Sequence, residues 1–483
     1  MMPARILNRV QRIPFSRRAQ IGSPRLGRPS LAKRSARPET LGVFGIVLLI
    51  GAVVVFAQEG SGLLPWLFGG FATYISKLLK LSLWFTAGCS LVLRLLKTRS
   101  LPKSFLWALS LGVVMTGSYL LGGSSLGAIL TELMFIPIVI LTIMVASHRV
   151  GRQTLVGVLI LLVLVNLIFT VAPPASYTAI KIKSVVTESS YGAIYLGDVQ
   201  KGSRNSGLFT YPSVSGALSL VGYQLSEALP LAGILSVALR LPCMFGCLVS
   251  LQRSVYLGLA ASFVVSVLLS GTARTHWRTR ILRLAAEVAV LVFALVIAWN
   301  LVPTPLTEAI QHRLSNEQLS SSSETRISSK WGWLTGLQAI MAAPILGSSG
   351  GRFAVGAEGQ FIAPHNMLIF VGAKHGLPAM LVFALLLGQA FRGLLRYVRL
   401  GARGGERIGA VALCQSFVGA AIVFMFHPGY GPLYFWVVAG IGLAFPQRSL
   451  AVRPQVNPMA LRVRGRPPGL SRVVSRTSSE PNG

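Results

Sequence analysis

The feature that most constrains this chain is a series of apolar segments of about 18 to 22 residues, separated by short polar loops. A helix of that length crosses a hydrocarbon core of about 30 Å. The predicted spans are 41–58, 73–93, 104–123, 126–147, 153–173, 211–228, 230–251, 254–271, 284–301, 377–395, 408–427 and 432–446. The pattern predicts an all-α integral membrane protein with about twelve transmembrane helices.

The composition agrees with that fold class. Hydrophobic residues make up 53% of the 483 residues, charged residues only 12%, and the mean hydropathy is +0.65. A soluble domain of this size is far more polar. The basic N-terminal tail is long and no small-residue cleavage site follows the first apolar run, so we expect that run to remain as a span and not to be removed as a signal peptide.

The net charge of +32 and the pI near 11.4 would indicate nucleic-acid binding in a soluble protein. Here the basic residues fall in every second loop, which places those loops and both termini in the cytoplasm. They are Arg94, Lys97, Arg99 and Lys103; Arg149 and Arg152; Arg274, Arg278, Arg280 and Arg283; and Arg392, Arg396, Arg399, Arg403 and Arg407. We therefore expect contact with anionic membrane lipid and no nucleic acid.

The same alternation divides the chain into a membrane domain, 41–447, and two basic tails, 1–40 and 448–483. The tails are rich in Arg, Pro, Ser and Gly, a composition typical of disorder. Two long polar segments, 174–210 and 302–376, are predicted to face the outside.

The four cysteines all lie in apolar runs. Cys243 and Cys247 are one helical turn apart, which fits core packing, or two ligands of a metal site that has no evident third ligand. We expect core packing and no bound metal.

The second outer segment contains an amphipathic stretch, 324–342, predicted to be a helix at the membrane surface. Arg326 and Lys330 share one face. The apolar face consists of Trp331, Trp333, Leu334, Leu337 and Ile340. Lys330 is either a solvated charge or a substrate contact. The Gly-rich run 347–351 is predicted to be a turn that closes this helix, since it lacks the context of a phosphate-binding loop.

The stretch APHN, 363–366, is predicted to open the next helix, with Pro364 at a tolerated position and His365 and Asn366 in the first turn. The helix dipole there opposes a second positive charge, which favours a neutral imidazole that can accept a proton. Asn366 is expected either to cap the helix or to orient a substrate hydroxyl. A lone loop histidine is more often structural, so a catalytic role for His365 needs further support.

Three further arginines are candidates for binding an anionic substrate. Arg253 lies at an outer junction between spans with Ser254 placed to cap the next helix, where a guanidinium can hold a diphosphate or serve as an interfacial anchor. Arg204 also lies in an outer segment. Arg240 falls near the middle of a predicted span, where it is either functional or in an ion pair with Glu132 or Glu227.

Four stretches follow one another between about 200 and 440: RNSGLFTYPSVSGALS, LQRSVYLGLA, ETRISSKWGWLTGLQAIMAAPILGSSGG and PHNMLIFVGAKHGLPAMLVF. In order and spacing they resemble the O-antigen ligase and O-antigen or exopolysaccharide polymerase superfamily of bacterial envelope glycosyltransferases.

The resemblance implies a GT-C-like, all-helical enzyme of the bacterial inner membrane whose site lies on the periplasmic face. Such an enzyme takes a glycan from undecaprenyl diphosphate without metal, cofactor or nucleotide sugar, and inverts the anomeric centre. It implies His365 as the base and Arg326 and Arg253 as the residues that bind the donor diphosphate. Asn366, Arg204, Arg240 and Lys330 are expected to contact substrate.

The sequence departs from the family pattern at two places. Lys374 and His375 occupy a region where many relatives have an acidic residue, and Gln252 precedes Arg253 where a serine is usual. Arg274 is a competing match for the family arginine, but placing it outside would break the charge alternation.

The implied function is polymerisation of lipid-linked repeat units, or alternatively ligation of the finished glycan to lipid A-core. The expected partners are the undecaprenyl-diphosphate-linked donor, a glycan or lipid-linked acceptor, membrane lipid, and chain-length regulator and flippase proteins. Two alternatives of other classes are a transporter or flippase of lipid-linked oligosaccharide, for which an inverted repeat would be expected, and an inactive scaffold.

Overall fold

The structure is a computed structural model. It describes residues 38–56, 63–98, 101–172, 174, 176–177, 207–209, 211–228, 233–250, 252–269, 332–348, 353–354, 361–362, 364–400, 405–427 and 429–445, with six isolated positions between 282 and 296. The chain divides into a short unit, Met1–Leu41, and a longer unit, Gly42–Gly483, which holds the helical bundle. The predicted tails lie outside the described residues, apart from the start of the first helix.

The described elements are almost all helical. The helices are α1 (Pro38–Phe56), α2 (Leu63–Phe68), α3 (Ala72–Thr98), α4 (Lys103–Leu121), α5 (Leu126–Glu132), α6 (Phe135–Ala146), α7 (Arg149–Val171), α8 (Pro212–Leu225), α9 (Gly233–Val249), α10 (Arg253–Leu269), α11 (Trp333–Ala342), α12 (Met367–Leu400), α13 (Gly405–Phe424) and α14 (Leu433–Ala444). Short 3-10 turns occupy Gly69–Phe71 and Ser226–Ala228. Strands β1 (Phe353–Ala354) and β2 (Phe361–Ile362) form a two-stranded antiparallel pair, which the all-α prediction did not include.

Five continuous helical segments of the described chain are long and apolar enough to cross a membrane, and the pair α5 and α6, bent by 48°, makes a sixth when it counts as one span. The five are Leu63–Lys97, Lys103–Leu121, Arg149–Val171, Met367–Arg399 and Glu406–Phe424. The predicted number of about twelve is not confirmed. At several other predicted positions the helices are shorter, and in 284–301 only isolated positions are described.

Burial divides the helices into a centre and a periphery. Every residue of α8 and of α14 is buried, whereas α3 exposes large apolar side chains such as Tyr74, Leu78 and Phe85. An apolar face of this extent is stable in hydrocarbon, where the helical backbone satisfies its own polar groups. The protein is therefore a multi-pass membrane protein with α8 and α14 at its centre.

Helices α10 and α13 pack closely in an antiparallel arrangement. A Cβ on Gly258 would lie 2.5 Å from the carbonyl oxygen of Gly419, so only glycine permits this approach. Arg407, at the start of α13, donates to the carbonyl of Leu269 at the end of α10 (3.3 Å). The first residue of α10, Arg253, therefore lies at the same end of the bundle as the last residues of α13.

Basic residues gather at the opposite end of the bundle. Arg149 forms an ion pair with Glu406 (3.0 Å), and the Arg152 guanidinium lies over the rings of Tyr397 and Phe445. These contacts join the starts of α7 and α13 to the ends of α12 and α14. The helix ends that the charge pattern assigns to the cytoplasm thus lie together, while the orientation across the membrane stays a prediction.

Helix α12 contains a break at Gly376, which has φ 86° and ψ 172°. The turn that follows α11 satisfies the backbone groups freed there: Ser348 N–H donates to the Ala373 carbonyl (2.9 Å), and Leu377 N–H donates to the Pro344 carbonyl (2.7 Å). The predicted turn after the amphipathic helix is present at 344–348, and it also docks on the kink of α12.

Two smaller predictions concern α11 and the cysteines. Only residues from 332 onward of the amphipathic stretch are described, and there Ile340 packs against Ala373 of α12 while Leu334 and Leu337 are exposed.

Cys243 and Cys247 are buried in the hydrophobic core. Among the described residues, no group of three potential metal ligands lies close together.

Candidate functional site

The site begins with the segment that leads into α8. Asn166 of α7 accepts hydrogen bonds at Oδ1 from the Leu208 N–H (3.0 Å) and the Ser215 hydroxyl (3.1 Å). Gly207, with φ 51°, lies so close that a Cβ would be 2.5 Å from that same oxygen. A buried side-chain amide needs hydrogen-bond partners, and here they belong to the segment that leads into α8. Asn166 therefore holds that segment, and with it Tyr211, in place.

His365 lies just before α12. The structure corrects its predicted place in the first turn, since the helix begins at Met367 and Asn366 precedes it. Asn366 Oδ1 accepts from the N–H groups of Leu368 (2.9 Å) and Ile369 (3.1 Å), so its predicted capping role is confirmed. The indole N–H of Trp333 donates to the His365 carbonyl (3.1 Å) and ties α11 to this segment. His365 is thus held on both sides.

A second histidine, His427, lies near His365. It follows α13, it is partly buried, and its Nδ1 is 3.1 Å from the Ser213 hydroxyl of α8. Loss of solvent around the ring, followed by the electrostatic influence of His365, lowers the pKa of His427 from 6.5 to about 3. His427 is therefore neutral at physiological pH, and His365 lies near enough to act on it electrostatically.

The loop between α13 and α14 reads HPGYGP, 427–432. Gly429 and Gly431 both have positive φ, 108° and 82°, so they give the chain the left-handed turns that place Tyr430 between them. The Tyr430 ring is stacked on Phe135 (5.4 Å between centroids) and meets Phe370 edge-on (5.3 Å). Tyr430 thereby links the loop to α6 and α12.

A cavity of about 380 Å³ lies against the start of α8 and the 427–433 loop, within the usual range of roughly 300–1,000 Å³ for small-molecule pockets. His365 is not among its lining residues. The lining residues come from α3, from the α5 and α6 region, from the start of α8, from α12 and from the 427–433 loop. They are Lys80, Thr131, Glu132, Met134, Phe135, Tyr211, Val214, Phe370, His427, Gly429, Tyr430, Gly431, Pro432 and Leu433.

A polar network lies behind one wall of the cavity. Glu132 accepts hydrogen bonds from Lys374 and from the Tyr119 hydroxyl. The Tyr119 hydroxyl is 2.9 Å from that of Tyr430, which lies 2.7 Å from Nε2 of His375. Lys374 and His375, which depart from the family pattern, are therefore paired groups inside the bundle.

Arg253 lies at the same end of the bundle as this cavity. It is the first residue of α10, five residues before Gly258, which packs on α13 near the end that leads to His427. His365 and Arg253 are thus brought to one end of the molecule, and their catalytic roles stay predictions. Arg326, Lys330 and Arg204 lie outside the described residues.

Residues 238–384 match the family model described as O-antigen ligase. This stretch of the chain is similar to the O-antigen ligase family. The predicted resemblance is confirmed for this range, which runs from α9 into α12 and includes Arg253, His365 and Lys374. A comparison with curated proteins gives no match. Glu132 and the 427–433 loop lie outside the matched range 238–384 yet line the cavity.

Arg240 lies within the matched range but is not brought to the cavity. It forms an ion pair with Glu227, donates to the Ser226 hydroxyl (3.2 Å) and lies over the Tyr223 ring. These groups are at the C-terminal end of α8, and a helix of 14 residues places that end about 20 Å from Ser213. The alternative of an ion pair with Glu227 is present, and a substrate contact by Arg240 gains no support from this position.

Sequence reasoning did not assign four groups to the site: His427, Tyr430 and Tyr211, and Glu132, which it considered only as an ion-pair partner of Arg240. The available signal was HPGYGP, a histidine followed by Pro, Gly and Tyr in a short loop between two apolar segments on the side assigned to the outside. This is more proline and glycine than a simple connection between two helices requires, and functional residues are often carried on loops of this kind.

Proposed function

We propose that this protein is a glycosyltransferase of the bacterial inner membrane that takes a glycan from undecaprenyl diphosphate and polymerises O-antigen or exopolysaccharide repeat units on the periplasmic face. The observation that carries the proposal is the match of 238–384 to the O-antigen ligase family, together with the position of His365 and Arg253 at the cavity end of the bundle. Both termini are assigned to the cytoplasm by the charge pattern.

In the proposed reaction an acceptor hydroxyl attacks the anomeric carbon of the donor sugar. His365 takes the hydroxyl proton, a new glycosidic bond forms, and the bond to the diphosphate breaks with its electron pair on the leaving oxygen. Arg253 and Arg326 stabilise the charge on that diphosphate. Direct displacement of this kind inverts the anomeric centre, and no metal takes part.

A second candidate is ligation of the finished glycan to lipid A-core, which the description of the matched family favours. The two reactions share donor and leaving group and differ only in the acceptor. The same His365 and arginine chemistry serves both, so the glycan products must separate them.

The test is His365→Ala, with the exposed His148→Ala at the far end of α7 as matched control. Each variant is expressed in cells that lack the chromosomal copy, and lipopolysaccharide and secreted polysaccharide are resolved on gels. We expect His365→Ala to abolish long chains at normal protein level, and His148→Ala to preserve them.

The product pattern identifies the reaction. Loss of long chains alone indicates a polymerase, whereas long chains retained on the carrier lipid indicate a ligase. Normal glycan in the His365→Ala strain would contradict both. In proteoliposomes a transporter would move the lipid-linked glycan without lengthening it, and that result would replace the transferase proposal.

A further inference from the structure

The carboxylate of Glu132 lines the cavity, and only one of its two oxygens forms hydrogen bonds to the described residues. Lys374 and the Tyr119 hydroxyl both donate to Oε2. Among the described residues, Oε1 has no hydrogen-bond partner, and the Glu132 side chain lines the cavity with a third of its surface exposed (33%). A carboxylate oxygen in such a place accepts hydrogen bonds from a ligand.

The surroundings hold this carboxylate in place. Lys374 is nearly buried, and its ammonium lies over the rings of Tyr119, Phe370 and Tyr430 at 5.2 to 5.7 Å. The ion pair and the ring contacts fix the Glu132 side chain before any ligand arrives. A group fixed in this way loses little conformational entropy on binding.

The wall beside Glu132 is aromatic. Tyr211, Phe370 and Tyr430 line the same cavity. Aromatic faces carry partial negative charge and pack against the weakly positive C–H face of a sugar ring. A carboxylate oxygen beside aromatic rings suits a polyhydroxylated ring, whose hydroxyls can donate to it, whereas an ionised diphosphate has no hydrogen-bond donor to offer.

We propose that the Glu132 wall is the subsite for the acceptor sugar, in which Oε1 accepts a hydrogen bond from a ring hydroxyl and the aromatic residues hold the ring. This inference rests on the proposed function. The subsite is assigned to the acceptor because Phe370, five residues after the proposed base His365, lines the same cavity as His427. In the proposed function the diphosphate of the donor is bound by Arg253 and Arg326.

The test measures binding by calorimetry with full-length protein purified in detergent. The probes are the oligosaccharide released by mild acid from the lipid-linked pool of the producing cells, and undecaprenyl diphosphate without sugar. We expect Glu132→Gln to weaken oligosaccharide binding about tenfold or more, the effect of losing one hydrogen bond to a charged group. Binding of undecaprenyl diphosphate is expected to persist.

The matched control is Glu406→Gln, which makes the same change in an exposed ion pair at the opposite end of the bundle and leaves both affinities unchanged. Because Glu132→Gln removes the charge that balances the nearly buried Lys374, it can prevent folding. The double variant Glu132→Gln with Lys374→Met removes both charges, and the same loss of oligosaccharide binding is expected there.

An unchanged oligosaccharide affinity in the folded Glu132 variants overturns the subsite while leaving the transferase proposal standing. The subsite is also overturned if the natural protein binds no oligosaccharide while His365→Ala still abolishes polymer formation. Failure of the proposed function shows itself separately, as normal polymer in the His365→Ala strain.

Discussion

At the scale of single residues, the site depends on pairs that come from distant parts of the chain. His427 meets Ser213, 214 positions away, and Lys374 meets Glu132, 242 positions away. Each pair buries a group that would be expensive alone. The protonation state of His427 therefore follows chiefly from its loss of solvent contact.

The lowered pKa of His427 predicts a pH dependence of stability. The unfolded chain binds a proton at this residue below pH 6.5, and the folded protein does so only near pH 3. Between these values the free energy of unfolding falls as the pH falls. We expect the apparent melting temperature to drop between about pH 7.5 and about pH 5, and to drop less in His427→Asn, whose amide keeps a partner for Ser213.

The exposed His148→Asn serves as the control and should keep the slope of the natural protein. Thermal unfolding in detergent across that pH range measures both. Equal slopes for the natural protein and His427→Asn would show that the folded pKa of His427 is not lowered.

At the scale of elements, the break in α12 decides where the cavity residues point. The segment before the break carries Phe370 and Lys374, and the longer segment after it packs in the bundle. The turn at 344–348 fills the space beside the break: a Cβ on Gly347 would lie 2.6 Å from the Gly376 nitrogen. Two facing glycines with positive φ thus allow the turn and the broken helix to touch.

This arrangement predicts that Gly376→Ala is severely destabilising. A Cβ there would lie 2.1 Å from the Ile345 carbonyl oxygen, and the positive-φ, extended-ψ conformation itself costs an alanine about 1–3 kcal/mol. Gly388→Ala in the same helix meets nothing within 4 Å and should be neutral or stabilising by about 0.5–1 kcal/mol. Apparent melting temperature and yield of monodisperse protein compare the two variants, and similar values for both would contradict this packing of the turn on the helix.

At the scale of the whole molecule, the bundle has two chemically different ends. One holds the cavity, His365, His427 and the start of α10, and the other holds the pairs of Arg149 and Arg152. The charge pattern predicts that the cavity end faces outward. The proposed transfer of a lipid-linked glycan requires that orientation.

The orientation is testable by cysteine labelling in a Cys89→Ser background, since the other three cysteines are buried. Gly122 and His148 are exposed at opposite ends of the helices that flank the α5 and α6 pair. A maleimide that does not cross membranes should label Gly122→Cys in intact spheroplasts, and His148→Cys only after permeabilisation. The reverse pattern would place the cavity in the cytoplasm and exclude a periplasmic reaction.

The sequence by itself determined the membrane class, the positions of most helices and which helix ends share a side, because apolar length and loop charge act locally along the chain. It also predicted the cap at Asn366, which depends on a few neighbouring residues. Only the tertiary structure decided that Arg240 pairs with Glu227, that Glu132 pairs with Lys374, and that His427 meets Ser213. Contacts between residues far apart in the chain follow from how the helices pack, and hydrophobic periodicity does not encode which polar groups meet when they do.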